Sequence, residues 1–222
     1  MKHVGLNLAA EPLMTGSYTG VNAGMVIIVA DDPNMHSSQN EQDSRNYARF
    51  AKVPMLEPAD SQEAKDFIKL AFDISEKFSV PVIVRSETRI SHSMSVVSLE
   101  EPKQSSELEF EKDSEKWVMV PVNARKRHRI VEERLKCLQS FSGQLVKIDD
   151  GSSRYGVVCS GINYQYVKEA LPDAKVFKLA MVWPLPIKEI NKFAQTVSKL
   201  YVVEELDPII ETELKAAGIE VE

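Results

Sequence analysis

The sequence has few cysteines and no long apolar run, and each shortage excludes a class of protein. Cys137 and Cys159 are the only cysteines among 222 residues, and they do not form a CxxC pair. Two separated thiols suit a reduced, cytoplasmic protein better than a disulfide framework. They also cannot hold an iron–sulfur cluster by themselves. The longest strongly apolar run, residues 25–30, is far too short to cross a membrane.

An excess of basic charge is missing as well. The chain has 27 Lys and Arg against 33 Asp and Glu, which gives a net charge of −6. A nucleic-acid-binding protein needs a basic field to neutralise phosphates, so this composition argues against that class. The sequence contains no GxGxxG, GxxxxGK, GxSxG, GDG or CxxCxxC motif. It therefore has no self-sufficient catalytic constellation and no recognisable metal site.

What the sequence does contain is the alternation of apolar runs and helical patterns typical of α/β proteins. Residues 25–30 are apolar at every position, which predicts a strand covered on both faces. The other predicted strands are residues 53–56, 81–85, 156–160, 175–181 and 200–203. Helices are predicted from Glu11-Pro12 and over 38–50, from 60, and over 123–141, 164–171, 187–197 and 207–218. We expect an α/β fold with two parallel-sheet domains, residues 1–99 and 155–222, joined by a linker with a helix over 100–154.

The most polar segment beside a predicted buried strand is HSSQNEQDSR, residues 36–45. Ligands of open α/β sheets bind beyond the carboxyl ends of the strands, which is where this loop must lie. Ser38 and Glu41 also have the spacing of a capping box, which predicts a helix beginning there. The loop either faces a ligand or only caps that helix with its remaining side chains in water.

Two groups of basic residues have a functional and a structural interpretation. Arg85, Arg89 and His92 follow a predicted strand, where a cationic pair could hold a substrate carboxylate or simply face solvent. Residues 125–129, RKRHR, have acidic neighbours. That pattern favours a solvated helix face or a subunit contact over nucleic acid, and an acidic partner such as ferredoxin is a further alternative.

Several stretches resemble the large (alpha) subunit of indolepyruvate ferredoxin oxidoreductases, which are thiamine diphosphate-dependent 2-oxoacid enzymes. The resemblance covers nearly the whole chain in one consistent order, as an internal fragment of that subunit. The matching stretches are MKHVGLNLAAEPLMT (1–15), YTGV (18–21), VADDPNMHSSQNEQDSRNYA (29–48), PMLEPADSQEAKD (54–66), VNARKRH (122–128), LAMVWPLP (179–186) and YVVEELDP (201–208).

The resemblance implies a role for each half of the chain. Residues 1–99 look like part of the domain that packs on the pyrimidine of thiamine diphosphate, and residues 155–222 look like a transketolase C-terminal-type domain. The family reaction oxidatively decarboxylates an aryl pyruvate such as indolepyruvate. Coenzyme A takes the acyl group, and electrons pass through iron–sulfur clusters to ferredoxin. The implied partners are a small (beta) subunit, a second large subunit and ferredoxin, in the cytoplasm, with neither nucleic acid nor membrane.

The resemblance also implies which parts of the active site this chain lacks. In the family, the glutamate that activates the cofactor precedes the Met-Lys-His stretch, and the magnesium–diphosphate and cysteine-rich domains follow. The catalytic residue is thus expected upstream of Met1, and this chain alone is expected to be inactive and to hold no cofactor. Thiamine diphosphate with Mg²⁺ and the iron–sulfur clusters would belong to the complete subunit.

The loop that matches the family is expected to face the cofactor and substrate. We expect His36 and Gln39 to contact the reacting 2-oxo acid and Arg45 to support the loop. Two alternatives remain, a non-catalytic truncated subunit that serves assembly and a sister oxidoreductase for pyruvate or branched-chain 2-oxo acids. The carried-over residues of the loop are His36, Ser37, Ser38, Gln39, Asn40, Glu41 and Arg45.

Overall fold

Strands and helices alternate along the chain, as the sequence pattern predicts. The computed structural model describes residues 1–101, 109–110 and 112–222. The strands are β1 Val26–Asp31, β2 Met55–Leu56, β3 Val82–Glu87, β4 Lys147–Asp149, β5 Tyr155–Ser160, β6 Lys175–Leu179, β7 Met181–Trp183 and β8 Lys199–Val203. The helices are α1 His3–Leu8, α2 Ala10–Thr19, α3 Arg45–Ala51, α4 Ser61–Phe78, α5 Thr88–His92, α6 Ser114–Trp117, α7 Pro121–Ser142, α8 Asn163–Ala170, α9 Ile187–Ala194 and α10 Ile209–Ala216.

The strands form two four-stranded sheets that are mostly parallel. The first sheet has the order β1-β3-β2-β7 and the second has the order β4-β6-β5-β8. Strand β7 runs antiparallel to β2, and β4 runs antiparallel to β6. The α/β class is therefore confirmed, but the expectation of purely parallel sheets is wrong at one edge of each sheet. An antiparallel edge strand on a parallel sheet is a common arrangement.

The second half of the chain supplies a strand to the first sheet. Residues 175–181 were expected to form one strand, but the strand ends at Leu179 and Met181–Trp183 crosses to β2. The backbone N–H of Glu57 donates to the carbonyl of Ala180 at 3.0 Å. One hydrophobic cluster includes Ile83 of the first sheet and Phe177 of the second. The division at residues 99 and 154 stays a prediction, since the two sheets share core residues.

Two sequence expectations fail at sheet edges. The segment 142–154 was expected to be a polar connection, yet Lys147–Asp149 forms the edge strand β4, whose side chains are mostly exposed. Charged, short edge strands are hard to recognise because they lack a buried face. Strand β1 is also an edge strand, and its Ile28 is 50% exposed. The expectation that this strand is covered on both faces is therefore wrong.

Helix α4 begins and packs as its sequence predicts. The Asp60 carboxylate accepts a hydrogen bond from the backbone N–H of Glu63 at 2.8 Å, and Glu63 accepts one from the N–H of Ala59 at 2.9 Å. This reciprocal arrangement is a capping box. The apolar stripe that includes Phe67 and Ile74 is buried against the first sheet.

Helix α7 is held in place by guanidinium groups from its own sequence. Arg127 Nε donates to the carbonyl of Tyr18 at 2.7 Å, and Arg134 Nη2 donates to the carbonyl of Ser17 at 2.6 Å. Both carbonyls lie in the last turn of α2, where helix ends leave acceptors without helical partners. The solvated-face interpretation is therefore wrong for Arg127 of the RKRHR segment. The other four side chains of that segment are exposed.

Two further findings concern the sequence-based expectations. Within the predicted linker 100–154, residues 102–108 and 111 lie outside the described residues, and α6 is a short helix after them. Within the described part of the chain, no helix is long and apolar enough to cross a membrane.

Candidate functional site

The loop after β1 is organised around one carboxylate, that of Asp32. It accepts hydrogen bonds from the backbone N–H groups of His36 (3.2 Å) and Ser37 (2.8 Å). It also accepts hydrogen bonds from the hydroxyls of Ser38 (2.5 Å) and Thr88 (2.7 Å). Led by the Ser38 hydrogen bond, these donors hold the pKa of Asp32 well below its usual range. Asp32 therefore stays ionised and fixes the loop between β1 and β3.

The helix expected from Ser38 does not begin there. The Ser38 hydroxyl is used by Asp32, and Glu41 Oε2 accepts a hydrogen bond from the backbone N–H of Asn34 at 2.7 Å. Both side chains of the expected capping box thus bond backward into the loop. Helix α3 begins seven residues later than expected, at Arg45. Such local side-chain hydrogen bonds compete directly with helix formation.

His36 lines a cleft at the carboxyl ends of β1 and β3. The cleft has a volume of about 520 Å³ and lies where ligands of α/β sheets generally bind. Gln39 and Asn40 are exposed on the same loop, and Asn40 Oδ1 accepts from Gln42 Nε2 at 2.9 Å. The structure thus brings His36 to the cleft with residues from other elements. The lining consists of Pro33, Asn34, His36, Glu87, Thr88, Arg89, Tyr166 and Glu205.

Arg45 ties this loop to the segment after β8. Its buried guanidinium pairs with Asp43 (2.7 Å) and with Glu204 (2.6 Å). It also donates to the carbonyls of Glu205 (2.7 Å) and Asp207 (2.8 Å). Arg45 is thus enclosed by groups of this chain, and its planar fork of donors crosslinks the ends of the two sheets.

Arg85 forms the centre of a second buried cluster. Its guanidinium contacts Asp31 at 2.6 Å, Glu57 at 2.5 Å and Glu87 at 2.8 Å. These carboxylates lie at the ends of three neighbouring strands, and all four side chains are at most 2% exposed. Arg85 therefore neither holds a substrate carboxylate nor faces solvent, the two roles that the sequence left open. Of the two other basic residues in that expectation, Arg89 lines the cleft and His92 is exposed.

The two clusters contain more acids than bases. Six carboxyl groups, those of Asp31, Asp43, Glu57, Glu87, Glu204 and Glu205, surround the guanidinium groups of Arg45 and Arg85. Burial raises the pKa of Glu57 to about 7. Burial also raises the pKa of Glu87, with the nearby charge of Glu205 acting in the same direction. Burial thus favours the protonated forms of these two acids.

Metal binding does not account for these acids. Among residues 1–101, 109–110 and 112–222, no group of three or more His, Cys, Asp or Glu side chains is arranged to hold a metal ion. The carboxylates nearest to one another are instead paired with arginine, as buried charges require.

The buried acids were not singled out from the sequence, although it contains a signal for them. Asp31, Glu57 and Glu87 each stand at or directly after the end of an apolar strand. Because parallel strands end at the same edge of a sheet, such residues meet in space. The signal is weak, since a charged residue at a strand end is most often solvated.

Comparisons with known proteins agree with this architecture. A family profile described as "Pyruvate flavodoxin/ferredoxin oxidoreductase, thiamine diP-bdg" matches residues 4–135. The indolepyruvate oxidoreductase subunit IorA of Archaeoglobus fulgidus is 44% identical over 99% of this chain, which spans 36% of that relative. The IorA subunit of Pyrococcus abyssi is 42% identical over 100% of this chain, which spans 37% of it.

A solved structure has the same fold at low sequence identity. It is a 2-oxoglutarate:ferredoxin oxidoreductase from Magnetococcus marinus, matched with a TM-score of 0.63 and 14% identity over 97% of this chain and 47% of that one. The profile covers more than half of this chain, and the IorA relatives align over nearly all of it. The chain therefore belongs to the thiamine diphosphate-binding pyruvate flavodoxin/ferredoxin oxidoreductase family and is a homologue of part of the IorA subunit of indolepyruvate oxidoreductase.

Proposed function

We propose that this chain is part of the catalytic subunit of a ferredoxin-dependent enzyme that oxidatively decarboxylates aryl pyruvates, indolepyruvate in particular, to acyl-CoA. The support is its identity to IorA subunits over nearly its whole length. The first sheet would be part of the pyrimidine-binding-type domain, and the second sheet would be the transketolase C-terminal-type domain. The chain spans about 36% of those relatives. The complete oxidative decarboxylation would therefore need the rest of the subunit.

The observation that carries the proposal is the cleft beside the ordered 36–45 loop. Arg89 offers a guanidinium that could bind the carboxylate of a 2-oxo acid, since this pairing gives two parallel hydrogen bonds. His36 and Asn34 add polar groups at the same cleft, and Tyr166 adds an aromatic wall. Asp32 holds the backbone N–H of His36, so the backbone that carries the imidazole is fixed before a ligand arrives.

The residues of this chain fit only one side of a thiamine diphosphate site. The cleft provides polar and aromatic groups that suit contact with a ring or with the substrate. The magnesium–diphosphate end would require a cluster of oxygen ligands, and the described residues do not supply one. We therefore assign that end, and the iron–sulfur clusters, to the rest of the subunit. When bound, the thiazolium ring supplies the electron sink for decarboxylation.

The proposed partners follow from the same assignment. They are the small subunit, a second copy of the large subunit, and ferredoxin as the electron acceptor. The exposed basic side chains Arg125 and Arg129 on α7 suit an acidic protein surface.

The proposal is tested in the complete complex that contains this sequence. We expect 2-oxo acid-dependent ferredoxin reduction to be faster with indolepyruvate and phenylpyruvate than with pyruvate. The variant Arg89→Met should raise KM for the 2-oxo acid at least about tenfold through loss of the carboxylate pair. The matched control Arg154→Met changes an exposed arginine before β5, away from the cleft, and should leave KM unchanged. Equal rates on pyruvate, or an unchanged KM in the Arg89 variant, would contradict the proposal.

The second candidate function is that of a non-catalytic subunit that serves assembly. It is favoured by exposed apolar side chains such as Leu8 and Phe50, which suit a contact with another subunit. Co-expression with the small subunit and size-exclusion chromatography separate the two functions. A stable stoichiometric complex without thiamine diphosphate and without activity would support the second.

A further inference from the structure

Three glutamates lie between the interior and the cleft, of which Glu57 and Glu87 are buried and Glu205 is partly exposed. Arg85 Nη1 contacts Glu57 Oε1 at 2.5 Å and Glu87 Oε1 at 2.8 Å. One donor atom thus holds the two carboxyl groups close together, and the charge of Glu87 acts with burial to raise the pKa of Glu57. A proton on one of the two groups would let it donate to the other.

The third glutamate continues this contact to the cleft. Glu87 and Glu205 line the cleft together with His36 and Arg89, and the charge of Glu205 acts to raise the pKa of Glu87. With both groups ionised, the Oε2 atoms of Glu87 and Glu205 are buried and have no partner among the described residues. A buried oxygen without a partner is costly. A proton between the two groups would remove this cost without any other atom.

A bound cation would be the other way to satisfy these oxygens. The described residues provide no group of three or more ligands arranged for a metal ion. The carboxyl groups of Glu57 and Glu87 also contact the same guanidinium nitrogen, and two anions held so close repel each other. A shared proton therefore fits the geometry better than a cation does.

We propose that Glu57, Glu87 and Glu205 form a chain of proton-sharing carboxyl groups that connects the sealed interior, beside Arg85, with the cleft. A proton can pass along this chain from Glu57 to Glu87 while the Glu87 proton passes to Glu205. Each step breaks one O–H bond and forms another, so one proton moves and no electrons are transferred. These protons are held by carboxyl groups of the polypeptide itself, so their titration is measured separately from the oxidoreductase activity.

The surroundings of the chain favour retention of a proton near neutral pH. Glu57 is enclosed, with Ser160 donating to its Oε2 at 3.1 Å. Gly161 lies so close that a Cβ there would approach Glu57 Oε1 to 2.5 Å. Burial raises the pKa of Glu57 to about 7. The charged and titratable groups that face the cluster are Asp31 on β1, Asp43 before α3, Arg45 on α3, Arg85 on β3, Cys159 on β5 and Glu204 after β8.

The test is a titration of the full 222-residue chain labelled with carbon-13 at the glutamate carboxyl group. The carboxyl signals are followed by NMR from about pH 4 to about pH 9, since an ordinary glutamate titrates near about 4.3. We expect one signal with a midpoint of about 7, which the variant Glu57→Gln identifies by its loss. Midpoints confined to the ordinary range in the unaltered chain would overturn the proposal, whatever the variants do.

Coupling among the three glutamates is tested with a variant of Glu205, which is partly exposed. The variant Glu205→Gln should lower the Glu87 midpoint, since a like charge is removed. Through the more ionised Glu87 it should raise the Glu57 midpoint, by about half a pH unit or more. The control Glu115→Gln removes an exposed glutamate and should change neither midpoint. An unaltered Glu57 midpoint in Glu205→Gln would overturn the shared chain, as would midpoints that move when magnesium is added, because the oxygens would then hold a cation.

Discussion

Two buried arginines of this molecule are held in opposite ways. Arg85 lies among the carboxylates of Asp31, Glu57 and Glu87. Arg134 lies against neutral groups, with its guanidinium donating to the carbonyls of Ser17 and Ser79. Among the described residues no salt bridge is found for Arg134, and its Nε atom is buried without a partner. The side chains are the same and both are buried, so their surroundings account for the difference.

The difference shows that neighbouring charges, together with burial, set the pKa of a buried arginine. At Arg85, burial alone would lower the pKa, but the charges of Glu57, Glu87 and Asp31 outweigh it and raise the pKa. At Arg134, burial lowers the pKa to about 10, and the nearby positive charge of Arg127 acts in the same direction. Carbonyl dipoles satisfy hydrogen bonds, but they do not offset the loss of hydration as fully as carboxylates do.

The largest expected effect comes from removing the cation of the acidic cluster. Arg85→Met would leave three buried carboxylates without their guanidinium, which should lower the free energy of unfolding by about 3–5 kcal/mol at neutral pH. Urea unfolding followed by circular dichroism measures this loss. The loss of stability should be smaller at acidic pH, because the carboxylates then take up protons. A loss smaller than that of Arg134→Met would contradict the comparison.

The next effect is a dependence of stability on pH that belongs to the acidic cluster alone. The folded-state pKa of Glu57 is raised from 4.5 to about 7. Between these values the folded state holds more protons than the unfolded state, so stability falls as pH rises through this window. The contribution is roughly 3 kcal/mol, at about 1.4 kcal/mol per pKa unit.

The variant Glu57→Gln isolates that contribution. It removes the titrating group, so the slope of stability between pH 4.5 and about 7 should become flatter than in the unaltered chain. Below this window, acids whose pKa is lowered in the folded state, such as Asp32 and Asp43, should dominate and stability should fall with pH. An identical slope in both chains would show that Glu57 does not titrate there.

A smaller effect is expected at the neutral arginine site. Arg134→Met removes the donors to Ser17 and Ser79, and the loss of stability should be about 1–3 kcal/mol. Its dependence on pH between acid and neutral should be weak, because these partners are carbonyl groups. Arg129→Met, on the exposed side of the same helix, is the matched control. If the loss of stability in Arg134→Met depended strongly on pH, the distinction between the acidic and the neutral arginine site would be wrong.

The smallest effect is expected at an exposed pair between α6 and α7. Lys126 pairs with Glu115 at 2.8 Å, and the two side chains are 58% and 69% exposed. Lys126→Ala should change the free energy of unfolding by at most about 1 kcal/mol, because water and salt screen such pairs. A loss as large as that at Arg134 would show that exposure is not what separates these sites.

Local patterns predicted most helices and strands, because their causes lie in neighbouring residues. Asp60 and Glu63 cap α4 as expected, and the apolar spacing after them matches the buried face. The same reasoning failed for Ser38 and Glu41, which have equally good spacing. Their preferred partners, Asp32 and Asn34, lie earlier in the same loop, and spacing alone does not reveal that competition.

Long-range partners account for the other failures. The strand expected over 175–181 divides because Met181–Trp183 pairs with β2, more than 120 residues away in sequence. The sequence left open whether Arg85 binds a substrate or faces solvent, and its partners instead come from the ends of three strands. The sequence shows that these residues are charged and follow apolar strands. It does not show that they meet, or that the acids outnumber the bases.

The sequence by itself determined the family, the α/β class and the approximate place of the 36–45 loop at the carboxyl end of β1. Those features depend on motifs and on periodicities within a few residues of one another. Only the tertiary structure decided which arginine is paired with acids and which with carbonyls, and which glutamates share a buried site beside the cleft. Burial and charge pairing depend on groups brought together by the sheets, so the pKa of Glu57 and the role of Arg85 cannot be read along the chain.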